Sequence, residues 1–154
     1  MADSARSETA ISRSISSGLE SLGEAAKLRE QRLWIPGALP GWNELLDAKG
    51  TRFKGTRKTA YNTLKARAQE GIIYMARAQL RPVTRAHFSY EFHERDRRRD
   101  PSNIAGGAIK IIEDALQHAG ILKNDGWKCV AGFSVSFVVD KESQGVMLKI
   151  EECA

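Results

Sequence analysis

Two stretches of period-two alternation flank one stretch of helical period, and that order limits the fold more than any other feature. In AHFSYEFHE, residues 86–94, Phe88, Tyr90 and Phe92 share one face, and His87, Ser89, Glu91 and His93 share the other. This is the pattern of a half-buried strand. In CVAGFSVSFVVD the alternate positions are Cys129, Ala131, Phe133, Val135, Phe137 and Val139, a second strand. Between them, Ile104, Ala108, Ile111, Ala115 and Ala119 align on a helix from Ser102 to Ala119, and Ile112 and Leu116 widen its apolar face. Gly120 suits the helix C-terminus. Asp100-Pro101 reads as N-cap and first-turn proline, with Ser102 as the alternative cap. Gly106 and Gly107 weaken the helix and leave room for another backbone or a ligand to approach closely.

The flanking sequence completes a small domain. GVMLKIEE supplies a last strand through Val146, Leu148 and Ile150, and Lys141 to Gly145 reads as a hairpin connection to it. Upstream, Trp34 and Ile35 close a short edge strand, and Pro36, Gly37, Pro40 and Gly41 punctuate the chain. Trp42 anchors this connection to the core, and Asn43 opens a turn or short helix. Residues 56–80 read as a helix with Ala60, Leu64, Ala68, Ile72 and Met75 on its apolar face; Pro82 ends it. The expected class is α/β (α+β): a small mixed β-sheet with packed helices, over residues 33–154. Residues 1–32 form an N-terminal extension, polar and disordered at first. Ile11, Ile15, Leu19, Leu22 and Ala26 then mark an amphipathic helix, which packs on its own domain, packs on a partner, or is disordered in isolation.

Charge narrows the partners. The chain of 154 residues carries 24 Lys and Arg against 19 Asp and Glu, a formal charge of +5. That balance permits nucleic-acid binding without establishing it. Two cysteines, Cys129 and Cys153, make neither a disulfide scaffold nor a zinc cluster. No membrane-length apolar run and no secretion signal are visible, so the expected location is cytoplasmic.

Chemistry concentrates around the central helix. Arg97, Arg98 and Arg99 precede Asp100, where they suit phosphate contacts. Lys54, Arg57 and Lys58 lie in a basic segment that suits the same role, or that of a solvated turn. Asp100 is either a helix cap or an oxygen ligand held for Mg²⁺. Asp125, in KNDGW, is either an Asp-Gly turn residue or the second carboxylate of a shared site. A helix of about 17 residues would hold the two acids roughly 25 Å apart, so Asp125 must return toward Asp100, or the site must form across a dimer. Lys110 and Asp114, four residues apart, form a surface ion pair or line that site.

At these residues the sequence resembles the RusA-type Holliday junction resolvases, phage and prophage endodeoxyribonucleases of DNA recombination and repair. The resemblance runs over residues 33 to 152. It rests on Asp100, Ser102 and Asn103, on Asp114-Ala115-Leu116, on Ala119-Gly120 and on Asn124-Asp125, with Asn43 on an asparagine of the proline-rich N-terminal turn. It implies a homodimer that binds branched, four-way DNA and hydrolyses phosphodiesters with Mg²⁺. By that resemblance Asp100 and Asp125 fall on two of three essential carboxylates, and Lys110 falls on the functional lysine.

Two positions depart from the pattern. Ser102 stands on an expected aspartate and Asn124 on the first of an expected acidic pair. Serine is a neutral and poor Mg²⁺ ligand; Asn124 has a carbonyl oxygen but no charge. Glu91 and Glu113 are the candidate replacement ligands. A junction-binding protein with weak or absent catalysis is the alternative implied by these departures. A structural protein that joins a partner through its N-terminal helix is a third class.

Overall fold

The computed structural model describes residues 29–49 and 60–153. They form β1 (Glu30–Pro36), α1 (Trp42–Lys49), α2 (Ala60–Gln79), β2 (Ala86–Glu94), α3 (Pro101–His118), β3 (Val130–Val139) and β4 (Gly145–Glu152). The strands make one sheet in the order β1-β4-β2-β3. β4 runs antiparallel to both β1 and β2, and β3 runs parallel to β2. The mixed α+β architecture is as expected. β1 begins at Glu30, so the sheet takes in residues assigned to the extension. The N-terminal amphipathic helix and the basic residues Lys54, Arg57 and Lys58 lie outside the described residues.

The helices cover one face of the sheet. Leu33 and Ile35 of β1, Phe88, Tyr90 and Phe92 of β2 and Val146, Leu148 and Ile150 of β4 are buried against them. From α3 come Ile104, Ala108, Ile111, Ile112, Ala115 and Leu116, the stripe its sequence periodicity predicts. The opposite sheet face carries His87, Ser89, Glu91 and His93, because side chains alternate along β2.

The expected hairpin between β3 and β4 does not form. Two parallel strands need a crossover, and α3 supplies it between β2 and β3. β3 therefore lies outside β2, and β4 occupies the other side of β2. The link 140–144 passes the end of β2, tied there by the Asp140 N–H to the Glu94 carbonyl at 2.8 Å.

α3 starts where the sequence suggests, but not by the expected cap. Asp100 occupies the N-cap position with extended φ and ψ, yet its carboxylate makes no capping hydrogen bond. The helix entrance is instead clamped to the segment before α1. Asn103 Oδ1 accepts from the Asn43 N–H at 2.7 Å, and Arg99 Nη2 donates to the Leu39 carbonyl at 2.7 Å. Gly107 makes this contact possible: a Cβ there would lie 2.5 Å from the Pro40 carbonyl oxygen and 2.6 Å from the Gly41 carbonyl carbon. Another backbone, not a ligand, fills the space that the glycine leaves. Gly106 meets only the Trp42 side chain, at 3.7 Å.

These glycines should therefore respond oppositely to alanine. Gly107→Ala forces two backbones apart and should cost about 1–3 kcal/mol. Gly106→Ala should be neutral or stabilise by up to about 1 kcal/mol through helix propensity. Denaturant unfolding of the two variants checks the contrast; equal effects would contradict the close packing.

Candidate functional site

The end of α3 explains how Asp125 returns. Gly120 adopts φ +79°, and the N–H groups of Ile121 and Leu122 donate back to the Leu116 carbonyl. Ile121 and Leu122 are buried, and Leu122 bridges to Val83. The chain thus reverses as it leaves the helix. Asn124 Oδ1 accepts the Gly126 N–H at 3.0 Å in an Asx turn, which presents Asp125 beside the middle of α3.

There Lys110 Nζ donates to Asp125 Oδ2 and lies 3.0 Å from Asp114 Oδ1. Asp114 also pairs with Lys65 of α2. Glu113 lines the same depression as Asp125, together with Gly126, Trp127, Val130, Ala131, Gly132 and Phe133. Its Oε1 accepts from the buried Tyr90 hydroxyl at 3.4 Å. Lys65 and Trp127 belong to this site although the sequence reading gave them no role. Trp127 is 93% exposed beside Asp125, an unusual position for an indole. Helical spacing relates Lys110 to Asp114, but nothing local in the sequence joins Lys65 to them.

The charges of the cluster act on one another. Lys110 holds the Asp125 carboxyl below its ordinary range through their hydrogen bond, and Asp125 in turn raises the Lys110 ammonium. Burial pushes Asp114 up, but Lys65 and Lys110 outweigh it and the net shift is downward. Glu113 moves the other way, raised first by burial and further by Asp125 and Asp114, against the pull of Lys110 and Tyr90. The cluster thus sets a fixed ion pair beside a carboxyl that resists ionisation.

Asp100 stands at the N-terminal end of α3. It lines a cleft of about 390 Å³ with Glu94, Asp96, Arg97, Arg99, Pro101, Ile104 and Phe137 to Val139. Lys110 lies ten residues along α3 from Asp100, about 15 Å at helical rise. A single chain therefore does not unite Asp100 with Asp125. Ser102 is exposed in the first turn of α3, on the Asp100 side. Glu91 is excluded from both groups by the sheet itself: it lies on the face away from α3, paired with His93 at 2.7 Å. Of the two candidate carboxylates, Glu113 is the one that shares a depression with Asp125.

The three arginines also divide. Arg99 is committed to the Leu39 carbonyl and to Glu94 Oε1 at 3.2 Å, so it fastens the helix entrance. Arg98 is exposed and lies 3.5 Å from Asp96. Arg97 is exposed at the mouth of the Asp100 cleft.

Mg²⁺ takes oxygen ligands and is commonly held by one or two carboxylates, waters and substrate phosphates. Asp125 and Glu113 fit that requirement in kind. Asn124 has its carbonyl oxygen engaged in the turn and contributes no charge. Among the described residues, no three His, Cys, Asp or Glu side chains are grouped to hold a metal as a protein cage. No protein-family model matches the sequence, and no curated protein matches it.

The opposite shifts of Asp125 and Glu113 give opposite pH signatures. Asp125, lowered in the folded state, contributes stability that is present above its unfolded pKa and lost as acid titrates the folded carboxyl. The advantage of wild type over Asp125→Asn should stay constant at neutral pH and shrink only below about pH 3.9. Glu113, raised, contributes stability below its unfolded pKa that is lost as pH rises through its folded value. Relative to wild type, Glu113→Gln should gain stability as pH climbs from about 4.3 toward neutrality. Denaturant midpoints across pH 3 to 7 test both; parallel profiles would contradict the assigned environments.

Proposed function

We propose that this chain binds four-way DNA junctions and hydrolyses their phosphodiester bonds as a Mg²⁺-dependent, structure-selective endodeoxyribonuclease of the RusA type, acting as a homodimer. One observation supports this reading above the others. The motif resemblance maps Lys110 onto a functional lysine and Asp125 onto one of the essential carboxylates. They stand fifteen residues apart and meet at an exposed ion pair.

In this reading Asp125 and Glu113 would hold the ion. A bound Mg²⁺ would supply charge stabilisation for the phosphate and lower the pKa of an attacking water. The chain's own groups do the rest. Lys110 is fixed between Asp114 and Asp125, so its ammonium is placed beside the reacting phosphate at little further ordering cost. Arg97 and Arg98, exposed at the far end of α3, hold the DNA backbone and carry no sequence information. The Trp127 indole offers a stacking surface for a base exposed at the branch point.

A second reading is favoured by the separation along α3. Asp100 lies at the N-terminal end of that helix and Asp125 beside its middle, and Ser102 adds no charge beside Asp100. A chain lacking the full set of carboxylates in one place would bind junctions and cleave them weakly or not at all.

Nicking of a synthetic four-way junction, with and without Mg²⁺, separates the readings. The first expects Mg²⁺-dependent nicks that fall by about two orders of magnitude or more in Asp125→Asn while binding persists. Binding without nicks at any protein dose would establish the second. Equal affinity for branched and linear DNA would remove both.

Binding itself should divide between the Asp125 depression and the N-terminal end of α3. Trp127→Ala should weaken junction binding by about 1–3 kcal/mol with the salt dependence unchanged. Arg97→Ala should reduce the slope of log affinity against log salt by about one. Filter binding over a salt series measures both, and unchanged affinity and slope would contradict the assigned contacts.

A further inference from the structure

α2 is sparsely covered for its length. Of its 20 residues Gln69, Ile72 and Ala76 are buried, whereas α3 buries seven of 18. A groove of about 830 Å³ runs along the open side of α2, lined by Asn62, Ala66, Glu70, Ile73 and Arg77 and by His118 at the end of α3. Gln69 forms part of its wall, with Nε2 donating to the Ile111 carbonyl at 3.4 Å. Arg77 Nη2 donates to the His118 carbonyl at 2.9 Å, so the two helices close one end of the groove.

The chain carries a segment that fits. Ile11, Ile15, Leu19, Leu22 and Ala26 are spaced four, four, three and four residues apart. Asn62, Ala66, Glu70, Ile73 and Arg77 repeat that spacing along the groove. On a helix, Arg13, Glu20, Glu24 and Lys27 fall opposite the apolar stripe, and Ser14, Gly18 and Ala25 flank it. Small flanking residues let two helix axes approach closely. A stripe this narrow needs one groove to bury it.

The place where the segment joins the fold sets its direction. Gln31, near the start of β1, exchanges two hydrogen bonds with Arg81, just past α2. Its Oε1 accepts the Arg81 N–H at 2.8 Å, and its Nε2 donates to the Arg81 carbonyl at 3.1 Å. The chain before Glu30 therefore arrives beside the C-terminal end of α2. A helix over residues 11–26 would be about 24 Å long, close to the span from Asn62 to Arg77 at helical rise. We infer that residues 11–26 form a helix that lies in this groove of the same chain, parallel to α2, with Ile15 level with Ala66 and Leu22 level with Ile73. Residues 27–29 supply roughly 10 Å of extended chain, the separation of packed helix axes, to reach β1. The groove shares no lining residue with the Asp125 depression, so the docked helix braces α2 and leaves that depression open. Docking requires neither DNA nor metal, so its failure is separable from failure of the nuclease reading.

Limited proteolysis and cross-linking of the full chain test the docking. Trypsin should cut wild type slowly after Arg13 and Lys27. Leu22→Asp should speed both cuts by about tenfold or more, because cleavage follows the population of the open form. Glu20→Gln, on the outer face of the helix, should leave both rates unchanged. A short bismaleimide should join Leu22→Cys to Ile73→Cys in a product of single-chain mass, identified by peptide mapping, and should not join Glu20→Cys to Ile73→Cys. Wild-type cuts as fast as those of Leu22→Asp would overturn the proposal, as an extension left open for a partner predicts. So would a link between two chains in place of one within a chain, or equal linking from positions 20 and 22.

Discussion

The crossover through α3 governs this molecule. Parallel neighbours cannot be joined by a tight turn, so the chain between β2 and β3 must travel the length of the sheet and return. It does so as one helix, Pro101–His118, laid over the apolar face of β2. That choice fixes β3 at the outer edge and leaves the other side of β2 to β4. It also distributes the chemistry: Asp100 and the arginines enter at one end of the helix, and Asp125 returns beside its middle.

Two local devices make the crossover hold its residues in place. At the entrance, Gly107 lets the backbone of residues 40–42 lie against the helix, and Arg99 and Asn103 fasten it there. At the exit, Gly120 turns the chain so that buried Ile121 and Leu122 pull it back toward α3. The Lys110–Asp125 pair is half exposed, and contacts of that kind contribute at most about 1 kcal/mol. Its importance is positional: packing brings the partners together, and their charges then shape the field in the depression.

Much of the fold is legible in the sequence because its signals are long and regular. The alternation at 86–94 matches β2, and the apolar stripe from Ile104 to Leu116 matches the buried face of α3. Strand order is not legible, since β3 and β4 alternate alike and alternation does not name a neighbour. That is why residues 141–145 read as a hairpin. The candidate site is legible in its members more than in their grouping. Lys110 and Asp125 meet, but only the buried turn at 119–122 brings them together. Glu91 and Glu113 look equivalent in sequence; which face of β2 the helices cover separates them. Arg99 reads as a phosphate contact, and in the fold it donates to the Leu39 carbonyl, sixty residues earlier, at 2.7 Å.

In the proposed function, the Asp125 depression, and not the open face of the sheet, is where a divalent cation and a phosphate would meet. Titration of the ¹⁵N-labelled protein with Mn²⁺, followed by amide line broadening, tests it most directly. Broadening should centre on Glu113 and on residues 124–127, and spare Glu91 and His93. Broadening centred on Glu91 and His93, or no localised broadening at all, would contradict the account.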